Sequence, residues 1–250
     1  MTHLKGDARV RYVREIFSQI APRYDLMNRL MTAWQDVRWR REVIARAHLS
    51  PGKLLLDLGA GTGDLAREAL RQVADIRVVA ADFTLTMMRV GQERYGKLPW
   101  VGADALRLPF AEAQFDAVVS GFLMRNVIDV PAALREQYRV LKPSGRIVIL
   151  DTTQPRRNFL WPFIWLHFHV VIPTLGGLIA GRRDAYTYLP DSTENFLTAE
   201  SLAERMRQAG FINVAFHVWH DCNPLGRKTC RLNSQTRAIA LYVAWKIPLV

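Results

Sequence analysis

Acidic side chains close three apolar runs in the first half of the chain. Leu54-Leu55-Leu56 ends on Asp57, Ile76–Ala81 ends on Asp82-Phe83, and Trp100–Asp104 ends beside Ala105. After Asp57 comes Leu58-Gly59-Ala60-Gly61-Thr62-Gly63-Asp64, then a helical pattern of Leu65, Ala66, Ala69 and Leu70. A glycine turn between a buried strand and a helix lets the backbone bend sharply and lets a ligand lie close against it. A phosphate would call for helix-terminal N–H groups. Acids at Asp57 and Asp64 instead suit a ligand with a positive centre, or serve to fix the loop. Asp82 stands about 20 residues beyond the turn, where such folds hold a ribose diol. A carboxylate accepts both hydroxyl hydrogens.

The elements that must position these residues are readable from periodicity. The three runs are strands, Phe115–Gly121 is a fourth and Arg146–Asp151 a fifth. Helical patterns over 84–94 and 132–141 alternate with them, and KPSG (142–145) marks a turn. Strand–helix alternation predicts an open parallel sheet with helices on both faces. Ligands of such sheets bind outside the carboxyl ends of the strands, so Asp57, Asp82, Asp104 and Gly121 can share one pocket. Thr198–Ala209 reads as a capped helix. Asn213–Trp219 and Ala238–Trp245 read as two closing strands. The expected architecture is therefore an α/β doubly wound, seven-stranded, mostly parallel sheet with an antiparallel C-terminal hairpin. It forms one domain: a helical cover (1–49), a core (50–154), an apolar lid (155–197) and a closing helix and hairpin (198–250).

The cover carries Val10, Val13, Ile16, Phe17 and Ile20 at helical spacing, then Pro22, then Tyr24, Asp25, Met27 and Asn28. Two readings stand for it: a basic helical cover, or a lid that turns Tyr24 and Asp25 toward a ligand. Residues 155–181 are apolar and aromatic, bracketed by Arg156, Arg157, Arg182 and Arg183. The run is near the spanning length of about 20 residues, but Pro162, Pro173 and Gly176-Gly177 interrupt it. It reads as a pair of short helices forming a lid over a long apolar substrate, with Trp161 and Trp165 on an interfacial face. Tyr186–Phe196 reads as a turn-rich loop.

The 250 residues carry a formal charge of +11, which points to nucleic acid, an anionic membrane surface or an acidic substrate. No RNA-binding module is recognisable, and the apolar 155–181 run favours lipid. Cys222 and Cys230 make no disulfide framework, which indicates a reducing compartment. With His217 and His220 they match no standard metal arrangement, and no metal is expected. The start of the chain is polar, without a secretory signal.

The motifs together resemble a family: the class I S-adenosylmethionine-dependent methyltransferases, and within them the C-methyltransferases of menaquinone and ubiquinone biosynthesis. The matching residues are FSQIAPRYDLMN (17–28), DLGAGTGDLA (57–66), ADF (81–83), GADALRLPF (102–110), RNV (125–127), RVLKPSGR (139–146), LDTTQP (150–155) and YTYLPDS (186–192). The resemblance covers roughly residues 11–211. It implies S-adenosylmethionine as cofactor and a prenylated quinol as substrate. Asp57, Gly59, Gly61, Thr62, Gly63, Asp82, Phe83, Asp104, Ala105 and Gly121 would hold the cofactor. Arg125 and Asn126 would face the quinol as catalytic residues, with Tyr24, Asp25, Tyr186 and Tyr188 binding substrate. The family usually has Gly and Leu where this chain has Leu123 and Met124.

The implied setting is cytoplasmic, peripheral on the inner face of the membrane, through residues 155–183. Nucleic acid is not an expected partner, and self-association into a homo-oligomer is left open. The competing readings are methyl transfer to another acceptor (a lipid amine, a phenol oxygen or RNA) and a non-catalytic protein that keeps the cofactor fold.

Overall fold

The computed structural model describes residues 6–96, 98–154, 161–181, 183–220 and 237–248. Seven strands make one sheet: β1 (Leu54–Leu58), β2 (Arg77–Asp82), β3 (Trp100–Gly102), β4 (Phe115–Gly121), β5 (Leu141–Thr152), β6 (Ile212–His220) and β7 (Arg237–Trp245). Their order is β3-β2-β1-β4-β5-β7-β6. The first five strands run parallel, and β7 lies antiparallel between β5 and β6. Connections leave β1 toward β2 on one side while β4 lies on its other side, so the order reverses between β1 and β4. That reversal opens a crevice at the strand ends.

Helices cover both faces, which is why the central strands are apolar almost throughout. Side chains still alternate along each strand. Leu56, Leu58, Val118, Ile147 and Ile149 face α6 (Val130–Val140) and α10 (Ala199–Gln208). Leu55, Val119, Val148 and Leu150 face α3 (Gln35–Ala47) and α4 (Asp64–Gln72). The expected cap is present, with Thr198 accepting from the Ser201 amide at the start of α10, and a further cap is found where Asp129 accepts from Ala132 at the start of α6. Such caps satisfy amides that the helix leaves orphaned.

The N-terminal cover is α1 (Gly6–Ile20), a 3₁₀ turn at Ala21–Arg23 containing Pro22, and α2 (Tyr24–Met31), followed by α3. A third apolar cluster joins it to the lid. Ile16, Ile20 and Met27 pack with Ile172, Ala185, Tyr186 and Tyr188.

The lid departs from expectation. Instead of two separate helices, α7 (Trp161–Leu166) and α8 (Ile172–Ala180) are joined by a π-helical turn, His167–Val171, into one run. Among the described residues no helix is long and apolar enough to cross a membrane. Most of Tyr186–Phe196, expected as a turn-rich loop, belongs instead to α9 (Arg183–Glu194), with Pro190 inside it. Burial of Ala185, Tyr186 and Tyr188 against the cover overrides the local turn propensity. Gly176 makes this possible, because a Cβ there would collide with the Tyr186 ring. The KPSG turn lies within β5, where Ser144 adopts φ +63° and the pairing with β4 shifts from Leu141 to Arg146. Arg156, Arg157, Arg182, Cys222 and Cys230 lie outside the described residues.

Candidate functional site

The crevice at the strand ends contains a cleft. Gly59 and Gly61 from the loop after β1, Asp82 and Phe83 after β2, Asp104 and Ala105 after β3, and Gly121 at the end of β4 all line it. Seven of the expected cofactor residues therefore meet at one place. Gly59, Gly61 and Gly63 have φ of +70°, +57° and +87°, a region that side chains disfavour.

The acid after β2 is held tightly. Asp82 accepts the Gly61 amide at 2.7 Å through one oxygen and the Thr84 amide at 2.6 Å through the other. The Thr84 hydroxyl and the Phe83 amide also lie against this carboxylate, so a diol would share it with them. Burial pushes this carboxyl up from its ordinary value, and the amide bonds oppose that. Ala103, Ala105, Leu106, Phe83 and Met87 supply apolar walls beside it. A nucleoside with a cationic sulfur fits this donor set. Asp82 would take its diol, the apolar walls and Asp104 would flank its base, and the glycine loop would leave room for the rest.

Three expected ligands act behind the cleft instead. Asp57 accepts the Ala66 amide at 2.9 Å and so fixes the start of α4, while its other oxygen has no partner among the described residues. Desolvation raises its carboxyl to about 7. Thr62 donates to Asp25 at 2.5 Å. Gly63 faces Trp100, whose ring would lie 2.8 Å from a Cβ there. Asp64 is not among the residues that line the cleft: it pairs with Arg29, Arg40 and Arg67, and those cations pull its carboxyl below the usual range despite burial. Arg29 and Arg40 also meet the buried Asp36, which ties α2 and α3 to α4.

The substrate residues divide the same way. Tyr24 lines the cleft, but Asp25 does not: its carboxylate accepts from Thr62, from Arg94 at 3.2 Å and from Tyr95 at 3.1 Å. It clamps the glycine loop to the cover. Tyr186 is 1% exposed and packed in the cluster between lid and cover, away from the cleft. Tyr188 donates to Asn126 Oδ1 at 3.0 Å.

Asn126 lines the cleft and Arg125 stands behind it. Phe122, at φ +60°, turns the chain sharply after β4, and Asn126 donates back to its carbonyl at 2.8 Å. Arg125 is buried, 3.3 Å from Asp151 and 3.4 Å from Thr152, and over the Phe122 ring. The expectation that Arg125 faces the substrate directly is not met. A buried guanidinium needs a counter-charge, and Asp151, wholly buried at the end of β5, supplies it. Leu123 lines the cleft against Gly59, where a Cβ would meet it at 2.9 Å.

Sequence reasoning did not place the inner face of α1 in the site. Val10, Val13, Arg14 and Phe17 form the outer wall of the cleft. Their helical spacing was the available signal. Nor did it assign Asp151 or Arg9, whose guanidinium donates to the Arg125 carbonyl at 2.9 Å.

Comparison with known proteins gives concordant matches. Residues 2–221 match the model of the ubiE/COQ5 methyltransferase family. A ubiquinone/menaquinone biosynthesis C-methyltransferase of Desulfotalea psychrophila is 45% identical over 206 residues, 82% of this chain and 84% of that relative. The demethylmenaquinone methyltransferase of Thermus thermophilus is 44% identical over 200 residues, 78% of this chain and 91% of the relative. Among solved structures, the [4+2]-cyclase SpnF matches with a TM-score of 0.63 at 17% identity, covering 94% of this chain and 95% of that one. Phosphoethanolamine N-methyltransferase 2 of Haemonchus contortus, solved with S-adenosylhomocysteine, matches with a TM-score of 0.59 at 16% identity, covering 84% and 52%. At such identities the structural likeness is one of fold alone.

Proposed function

The chain belongs to the ubiE/COQ5 methyltransferase family, and from that premise we propose that it transfers the methyl group of S-adenosylmethionine to a ring carbon of a prenylated quinol. The acceptor is demethylmenaquinol or the equivalent ubiquinone precursor. The observation that carries this reading is one cleft shared by Gly59, Gly61, Asp82 and Asp104 on one side and Asn126 on the other.

When bound, the cofactor supplies an electrophilic methyl on sulfur. The protein's share is alignment, exclusion of water and control of charge on the acceptor. Asp82 and the glycine loop seat the nucleoside, and α1 covers it. A quinol ring carbon is nucleophilic only when a neighbouring hydroxyl is ionised or strongly polarised. The Asn126 amide has an N–H to offer that oxygen. The Arg125 cation behind it is partly neutralised by Asp151, so it adds a softened positive field.

Of the proton acceptors suggested by residue type, His167 bonds the Met31 carbonyl and His169 meets Glu194. Neither lines the cleft. Tyr24 does, but burial pushes its phenol up, so it holds its proton.

The lid and cover also present an apolar surface that suits a membrane-borne substrate. Trp34, in the turn between α2 and α3, and Trp165, Leu166, Val170 and Leu178, on the 161–180 run, are exposed. Together with the +11 charge, they favour peripheral attachment to an anionic, inner membrane face.

The test is transfer of label from S-adenosylmethionine to demethylated quinols in anionic vesicles, with RNA and phosphatidylethanolamine as comparison acceptors. Label on a quinol ring carbon is the expected result. Label on lipid amine or RNA, or cofactor binding without transfer, overturns the reading.

A further inference from the structure

We propose that Tyr188, braced by Arg9, is a positioning residue that locks the Asn126 amide with its nitrogen toward the acceptor oxygen. The proposal rests on quinol methylation as read above. Asn126 Oδ1 receives the Tyr188 hydroxyl at 3.0 Å, and Nδ2 donates to the Phe122 carbonyl at 2.8 Å. A side-chain amide has two N–H donors. One is spent on Phe122, and the second remains for the cleft that Asn126 lines. Reversing the amide would set its oxygen against the Phe122 carbonyl and leave the Tyr188 bond to be remade. The amide is thus held at both ends, and its orientation makes Asn126 a donor to negative charge rather than an acceptor of a proton.

Tyr188 comes from α9, so the lid itself holds the amide. The residue is nearly buried, its ring sits edge-on to Tyr12 at 6.0 Å, and burial raises its phenol, which keeps the proton it donates. Arg9 bonds the Tyr188 side chain and also donates to the Arg125 carbonyl at 2.9 Å. One cation of α1 therefore joins the lid tyrosine to the backbone of the loop that carries Asn126. Docking of the lid and orientation of the donor are the same event.

The experiment is a double-mutant cycle with Tyr188→Phe and Asn126→Leu, assayed with a demethylmenaquinol of short prenyl chain. Tyr188→Phe should lower kcat about tenfold while KM and the affinity for S-adenosylhomocysteine stay nearly unchanged. It should also move the acid limb of the kcat profile to higher pH, because the bound acceptor hydroxyl is less polarised. In the Asn126→Leu background it should add nothing. Losses that multiply, or a Tyr188→Phe defect confined to cofactor binding, overturn the positioning role alone. A wild-type protein inert toward every quinol overturns the functional reading and this inference with it.

Discussion

Arg125 and Asp151 form a two-point clasp. Asp151 Oδ1 lies 3.3 Å from the Arg125 guanidinium, and Oδ2 accepts the Arg125 backbone amide at 3.2 Å. The carboxylate thus fixes both the charge and the chain path of the loop after β4. Removing it strands a buried cation, which typically costs about 3–5 kcal/mol. Asp151→Ala should lower the urea midpoint accordingly. Replacing both partners by apolar residues should recover much of that stability without recovering methyl transfer.

Asp57 should leave a mark on stability against pH. Its folded value is about 7 and its ordinary value 3.8. Below 3.8 both states hold the proton. Between the two values only the folded protein does, so this group's stabilisation is present at low pH and is lost as pH rises toward 7. At about 1.4 kcal/mol per unit the change is on the order of 4 kcal/mol. Asp116 works in the opposite sense. Lys142, Lys53 and the Leu54 amide hold it near 2, so its contribution is present above 3.8 and is lost on acidification. Urea midpoints between pH 5 and 7.5 should therefore fall less in Asp57→Asn than in the wild type.

The diol acceptor can be tested by binding alone. Asp82→Ala deprives the Gly61 and Thr84 amides of their partner as well as removing the ligand contact. Affinity for S-adenosylhomocysteine, measured by calorimetry, should drop at least about tenfold, the size of one lost charge-assisted bond. Thermal stability without ligand should fall too, because two buried donors are orphaned.

Much of this site could be read before the fold was known, for a definite reason. Buried parallel strands are apolar almost throughout, so an acid or glycine at their ends stands out, as Asp57, Asp82, Asp104 and Gly121 do. Residues whose function depends on a distant partner were less legible. Asp25 resembles a ligand contact until Thr62, Arg94 and Tyr95 are seen around it. Asp64 resembles a cation receptor until three arginines from three helices converge on it. Residues 183–194 hold a proline and turn formers, and only the buried face against α1 and α8 makes them helical.

The close approach of Gly59 to Leu123 predicts a paired effect. A Cβ at position 59 would meet Leu123 at 2.9 Å and would carry a positive φ. Gly59→Ala should lower the melting temperature and abolish cofactor binding. Leu123→Ala should relieve the contact but not the backbone strain, so the double variant should recover only part of the loss.

Gly176 offers a separate handle on the lid. Its Cβ position falls within the Tyr186 ring, so Gly176→Val should push α8 and α9 apart. Quinol turnover should collapse while S-adenosylhomocysteine still binds, a split that calorimetry and the label assay read independently.

The inner face of α1 closes the cleft through Val10, Val13, Arg14 and Phe17, and this has a kinetic consequence. If spent donor leaves on the side that α1 covers, that helix must lift and the Arg9 bond to the loop after β4 must break. A rapid first turnover followed by slower cycles in a pre-steady-state label assay is the expected sign, and equal rates throughout would place the exit elsewhere.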